Sequence, residues 1–108
     1  MTENQNIAKI FKALGDETRL AVLKLLQSGE KCACVLLDRV FVGQSTLSHH
    51  MKILVESGLV TARKNGKWTY YAINPIEGEK ACQILRDLTV KLDDGVDYNA
   101  CCRDDRED

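Results

Sequence analysis

Closely spaced thiols are the chemistry-bearing feature of this 108-residue chain. Cys32 and Cys34 are separated by one residue, Cys101 and Cys102 are adjacent, and Cys82 stands apart. Five is an odd number, and the N-terminus, MTENQNIAKIFKAL, lacks the basic start and apolar block of an export signal. A structural disulfide framework is therefore not expected, and the chain reads as cytoplasmic. Clustered thiolates in that setting suit a soft ion or redox chemistry. The bland alternative is packing, because free Cys behaves as a modest hydrophobe. For the tail pair a sensing role is expected, and the bland alternative is an incidental reactive dithiol. Cys82, next to Ala81 on an apolar stripe, reads as packing.

A second constellation spans residues 43–73, GQSTLSHHMKILVESGLVTARKNGKWTYYAI. Leu47, Met51 and Leu54 recur at helical spacing, so one stripe faces inward. Gln44, Ser45, Thr46, Ser48, His49, His50 and Lys52 supply donors, acceptors and charge near the start of that helix. Gly58 fits its C-terminal end, where a left-handed residue is needed. Asn65-Gly66 between two strand-like runs predicts a hairpin with a type I′ turn. Arg63, Lys64 and Lys67 crowd its tip. A polar helix beside a basic hairpin can enter a DNA major groove while the ribbon lies along the phosphates. Any polar helix face or charged hairpin tip in a soluble protein could look similar. His49 and His50 point about 100° apart on a helix, so they do not chelate one ion. Trp68 and Tyr70 share a strand face and read as wing core.

Charge distribution agrees with a DNA-facing middle. The net charge is −1, yet residues 44–74 carry a local +3 and residues 75–108 a local −5. The acidic end must point away from phosphate. No stretch approaches 18 apolar residues, so no membrane span is expected.

The remaining elements position these groups. Ile7, Ile10, Phe11 and Leu14 predict a helix over Asn6–Leu14, and Asp16 is a plausible N-cap for a helix over Glu17–Gln27. Arg19, early in that helix, is either a surface or packing residue or an anion contact. KCACVLLDRV predicts a helix over Lys31–Val40, with Gly43 turning into the next: a helix-turn-helix unit. In a regular helix Cys32 and Cys34 would be splayed about 200° apart. An ion holding both would then have to bend or unwind that helix. Asn74-Pro75 opens a last helix with Ile76, Ala81, Ile84, Leu85, Leu88 and Leu92 as a stripe. With the first helix, this exceeds what a small domain needs for itself and suggests pairing with a second copy. From Asp93 the chain is polar and acidic and is expected to be mobile. The expected division is a 1–95 domain and a 96–108 tail.

ALGDETRLAVLKLL at 13–26, KCAC at 31–34, QSTLSHHMKILVESGLV at 44–60 and GKWTYYAI at 66–73 together resemble the arsenical-resistance repressor family of winged-helix metalloregulators (ArsR/SmtB). The resemblance covers roughly residues 7–95. Glu17 stands where the family commonly has Pro. The resemblance implies a homodimer that binds double-stranded operator DNA and releases it on binding a metal or metalloid ion. The arsenic-sensing form often has a third Cys at the position of Leu37, which this chain lacks; Cys101 and Cys102 are candidates to supply the missing thiolate. The zinc-sensing branch uses His and acidic residues on its last helix, and no His follows His50, so zinc is not expected.

The expected fold is mostly α with a small β-hairpin wing, a dimeric winged helix-turn-helix. The expected function is an operator-binding repressor, with Cys32, Cys34, Cys101 and Cys102 capturing arsenite or antimonite, or else cadmium or lead. Sensing of thiol oxidation on the same fold is the first rival. A thiol enzyme is not expected, because the histidines lie on the DNA helix and no Cys-x-x-Cys accompanies a βαβ pattern. A winged helix that binds protein rather than DNA is opposed by the basic patch.

Overall fold

A computed structural model describes residues 2–101. Helix α1 (Glu3–Leu14) begins earlier than the apolar periodicity predicts. Thr2 and Gln5 form a reciprocal capping box, the Thr2 hydroxyl accepting from the Gln5 amide while the Gln5 side chain accepts from the Thr2 amide. Helix α2 (Glu17–Leu26) starts at Asp16, whose carboxylate accepts from the amides of Thr18 and Arg19. Those two bonds hold the Asp16 carboxyl below its ordinary range.

The next segment departs from expectation. Lys31–Cys32 is a short strand, β1, and α3 covers only Ala33–Arg39. Cys32 is the extended N-cap residue of α3 and not a residue within it. The turn after α3 leads into α4 (Gln44–Glu56), completing the helix-turn-helix. Strands β2 (Val60–Asn65) and β3 (Trp68–Ile73) form the hairpin, and α5 (Pro75–Thr89) follows, capped by Asn74. Leu92, expected on the last helix, lies beyond its end. A single 3-10 turn covers Tyr98–Cys101.

The sheet has the order β1-β3-β2 and is antiparallel throughout. Cys32 pairs with Tyr70, and Tyr70 pairs with Arg63 on the other side. Directly opposed residues share a face, so Cys32, Tyr70 and Arg63 form one row across the wing. The hairpin turn also differs from expectation. Its two loop residues are Gly66 and Lys67, with Gly66 at φ 64, and no non-glycine residue described has positive φ. This is the II′ pattern, with glycine at the first central position, shifted one residue from the expected Asn65-Gly66 turn. Gly58, at φ 88, takes the left-handed position after α4 as the sequence predicts.

The core lies where α2, α3 and α4 meet the wing. Val22, Leu26, Leu36, Met51, Leu54 and Val60 are its largest fully enclosed side chains. In α5 the buried residue is Ala81, while Ile76, Leu85 and Leu88 face out. Among the described residues no helix is long and apolar enough to cross a membrane.

Candidate nucleic-acid interface and thiol site

Helix α4 turns Leu47, Met51 and Leu54 inward and leaves Gln44, Ser45, Thr46, Ser48, His49 and Lys52 exposed. Its N-cap, Gly43, supplies no side-chain bond to the first-turn amides. Those donors, at the positive end of the helix dipole, can meet phosphate.

His50 behaves differently from its neighbours. Its ring is turned inward, with Nδ1 2.8 Å from Arg19 Nη1 and 3.7 Å from an Asp16 carboxylate oxygen. This corrects its expected place on the DNA-facing side: at i+3 from Leu47, it sits beside the buried stripe. Arg19, whose role the sequence left open, is only 7% exposed. Its Nε donates to the Ala13 carbonyl at 2.9 Å and its Nη2 to the Lys12 carbonyl at 3.0 Å. One guanidinium thus satisfies the open end of α1 and joins it to the recognition helix.

In the wing, Lys64 and Lys67 stay at the tip, with the Lys67 ammonium 5.2 Å from the Trp68 ring centroid. Trp68 is 47% exposed, so the expected wing-core role is only partly met. Arg63 is engaged elsewhere. It donates to both carboxylate oxygens of Glu30, at 2.8 and 3.0 Å, and its guanidinium lies 4.6 Å from the centre of the Tyr70 ring. The hydrogen bonds from Arg63 lower the Glu30 carboxyl, and Glu30 raises Arg63 in turn. Arg63 is therefore not a free cation of the tip, because its row across the sheet faces Glu30.

The thiols meet without any unwinding. Cys34 Sγ lies 2.8 Å from Cys32 Sγ, and the Cys34 amide donates to the same sulfur at 3.4 Å. The 200° separation expected of a regular helix does not arise, because Cys32 is extended and lies outside α3. The hydrogen bond from Cys34 lowers the Cys32 thiol, and the same contact raises Cys34. The pair sits where the wing sheet runs into the first helix of the helix-turn-helix. Cys34 also borders a groove of about 310 Å³ between α4 and the wing, with Leu37, Met51, Trp68 and Tyr71 among its walls.

Of the other cysteines, Cys82 belongs to α5 and Cys101 to the 3-10 turn. Cys82 is exposed on α5, which corrects its reading as a packing residue of the single chain. Cys101 ends the 3-10 turn and Cys102 lies outside the described residues. Among the described residues, no group of three His, Cys, Asp or Glu side chains is placed to hold an ion. The sequence reading missed Glu30, whose partner stands 33 residues away, and Phe41, which is 99% exposed in the turn before α4.

The family described as "Bacterial regulatory protein, arsR family" matches residues 16–62. The arsenical resistance operon repressor of Staphylococcus xylosus is 50% identical over 70 residues, spanning 65% of this chain and 67% of that protein. The repressor of the same description from Escherichia coli (strain K12) is 36% identical over 109 residues, spanning 86% and 93%. A cadmium resistance transcriptional regulatory protein, the CadC homolog of Staphylococcus aureus, is 37% identical over 70 residues, spanning 64% and 58%. Among solved structures, the homodimeric winged helix-turn-helix DNA-binding domain of a possible ArsR-family regulator from Mycobacterium bovis superimposes with a TM-score of 0.65. It is 28% identical, and the alignment covers 81% of this chain and 83% of that one. These relatives are transcriptional regulators, not enzymes.

Proposed function

The chain belongs to the arsR family of bacterial regulatory proteins, and from that footing we propose that it is a repressor whose homodimer holds operator DNA until arsenite or antimonite occupies its thiols. The observation that carries this reading is the contact between Cys32 and Cys34 at the junction of the wing with the helix-turn-helix. Two adjacent soft donors fit a thiophilic ion, since both sulfurs reach one point without refolding. The named arsenical-resistance relatives favour arsenic or antimony, and the cadmium-resistance relative keeps cadmium, with lead, as the second choice. Zinc is not proposed, because the described residues offer the pair no nitrogen or carboxylate partner.

DNA contact is assigned to Gln44, Ser45, Thr46, Ser48, His49 and Lys52 on α4 and to Lys64 and Lys67 on the wing tip. Lysine–phosphate contacts position the dimer, and the α4 side chains read bases. Release follows from where Cys32 sits. Its main chain is bonded to β3 and its side chain shares a row with Tyr70 and Arg63. Capture of both sulfurs pulls on the wing sheet and the first turn of α3 together. That shifts wing and recognition helix relative to each other. The coupling required is about 1–3 kcal/mol. Cys101 and Cys102, in the 96–108 tail beyond the 1–95 unit, complete the ligand set in this proposal. The exposed stripe of α5 serves the homodimer.

Fluorescence anisotropy of labelled promoter DNA tests the reading. Reduced protein should bind, and arsenite should release it. Release should be lost in Cys32→Ser/Cys34→Ser and weakened in Cys101→Ser/Cys102→Ser. Tight binding that no soft ion disturbs, but that mild peroxide reverses, would replace the ion with a disulfide as the signal.

A further inference from the structure

We propose that Arg19 seats the recognition helix α4 through His50, and does so only while that imidazole is uncharged, so that acid loosens α4 and weakens operator binding. The inference rests on the assignment of α4 to DNA and adds a positioning pair behind it. The His50 side chain is 13% exposed, and its Nδ1 lies 2.8 Å from Arg19 Nη1. A guanidinium offers donors alone, so Nδ1 must accept and must carry no proton. The ring's one proton is then on Nε2.

The charged and titratable groups facing the ring are Arg19 and Asp16, from the start of α2, and His49, from α4 itself. The Asp16 carboxylate oxygen is 3.7 Å from the same Nδ1, and the His49 ring centre is 6.0 Å from that of His50. From α1 come the Ala13 and Lys12 carbonyls, which hold Nε and Nη2 of Arg19 and keep the guanidinium in place. Protonation of Nδ1 turns an acceptor into a donor and sets two cations against each other. The acceptor within reach is Asp16, which already receives the Thr18 and Arg19 amides. Its carboxyl is held below the ordinary range, so it stays ionised where a histidine titrates. The imidazole then changes partner from guanidinium to carboxylate, and α4, which carries it, leaves its seat. His50 stands one turn after Thr46 on the same helix, so the side chains assigned to bases move with it.

Anisotropy of labelled promoter DNA at constant ionic strength, from about pH 8 to about pH 5, tests this. Wild-type affinity is expected to fall by about tenfold or more, the effect of losing a charge-assisted hydrogen bond. His50→Asn keeps an acceptor near the place of Nδ1 and does not titrate, so its affinity should not fall. His49→Gln should keep the wild-type profile, whatever its own affinity. Coinciding profiles for wild type and His50→Asn overturn the inference. Two readouts need no variant and decide the matter if His50→Asn does not fold. Imidazole nitrogen resonances of the wild type should show His50 protonated at Nε2 alone at neutral pH. Hydrogen-exchange protection along α4 should drop as that ring gains its second proton, and protection that stays constant through the titration overturns the inference. Wild-type protein that binds no DNA at any pH overturns the repressor reading instead, and protection along α4 still tests the joint.

Discussion

Arg19 and His50 meet at 2.8 Å, guanidinium Nη1 to imidazole Nδ1, across 31 residues of sequence. Arginine has no acceptor, so the imidazole nitrogen must accept, and the ring orientation is fixed by that bond. The same guanidinium closes the end of α1, so the first helix, the second helix and the recognition helix are held at one point.

Removing that point should be costly. Arg19→Ala removes the side-chain donor from the Ala13 carbonyl and the His50 nitrogen in a poorly hydrated site, while the Lys12 carbonyl keeps the Gly15 amide. A loss of about 1–3 kcal/mol is expected in urea denaturation. Arg19→Lys should recover only part of it, because one ammonium cannot match the fork geometry of the guanidinium. Full stability in Arg19→Lys would mean that the charge matters and the geometry does not.

Asp16 gives a pH signature. Its carboxyl lies below the ordinary value in the folded chain, mainly through the Arg19 amide bond, so the folded state favours the ionised form. That stability is present above the unfolded carboxyl value and is lost as pH falls through the folded one. Asp16→Ala should lower the melting temperature by about 5 °C at neutral pH. The gap from wild type should close in acid. A gap that is constant across pH would show that the cap acts without its charge.

The core term is separable from both. Leu36→Ala removes a fully enclosed side chain from α3 and should cost about 2–5 kcal/mol in denaturant unfolding. The matching change at exposed Val35 should cost much less.

The wing makes a contrast between two kinds of cation. Lys64→Ala and Lys67→Ala should each reduce the salt slope of operator binding by about two units, since each removes one proposed phosphate contact from both protomers of the homodimer. Arg63→Ala should leave that slope nearly unchanged, because Arg63 is already paired with Glu30. An equal slope change in all three would put Arg63 on the DNA.

The exposed stripe of α5 can be tested by mass. Leu85→Glu/Leu88→Glu should convert a dimer to a monomer in sedimentation, with helical circular dichroism retained. A dimer that persists would move the contact to another surface.

Much of this is legible in the amino-acid sequence. The α4 stripe, Gly58 and the cap at Asp16 follow from local rules, periodicity and capping, and the structure keeps them. The misses share a cause: each depends on a partner distant in sequence. Lys31–Cys32 looks helical until Tyr70 and Tyr71 are available to pair with it. Arg63 looks like a free tip cation until Glu30 is brought opposite. His50 looks like its exposed neighbours until Arg19 is folded against it. The hairpin differs for a local reason, because Asn-Gly permits two turns one residue apart and the strand register selected the second.

The pairing of β1 with β3 also dictates an order of assembly. Cys32 must wait for Tyr70, a closure of about forty residues that a growing chain completes only after both helices of the helix-turn-helix have been synthesised. Until then Cys32 and Cys34 are an unconstrained dithiol on a nascent chain. An ion that reaches them during translation meets a ligand with no wing attached. Under the proposed soft-ion reading, exposure to the ion acts twice, once on finished protein at the operator and once on chains that have yet to fold.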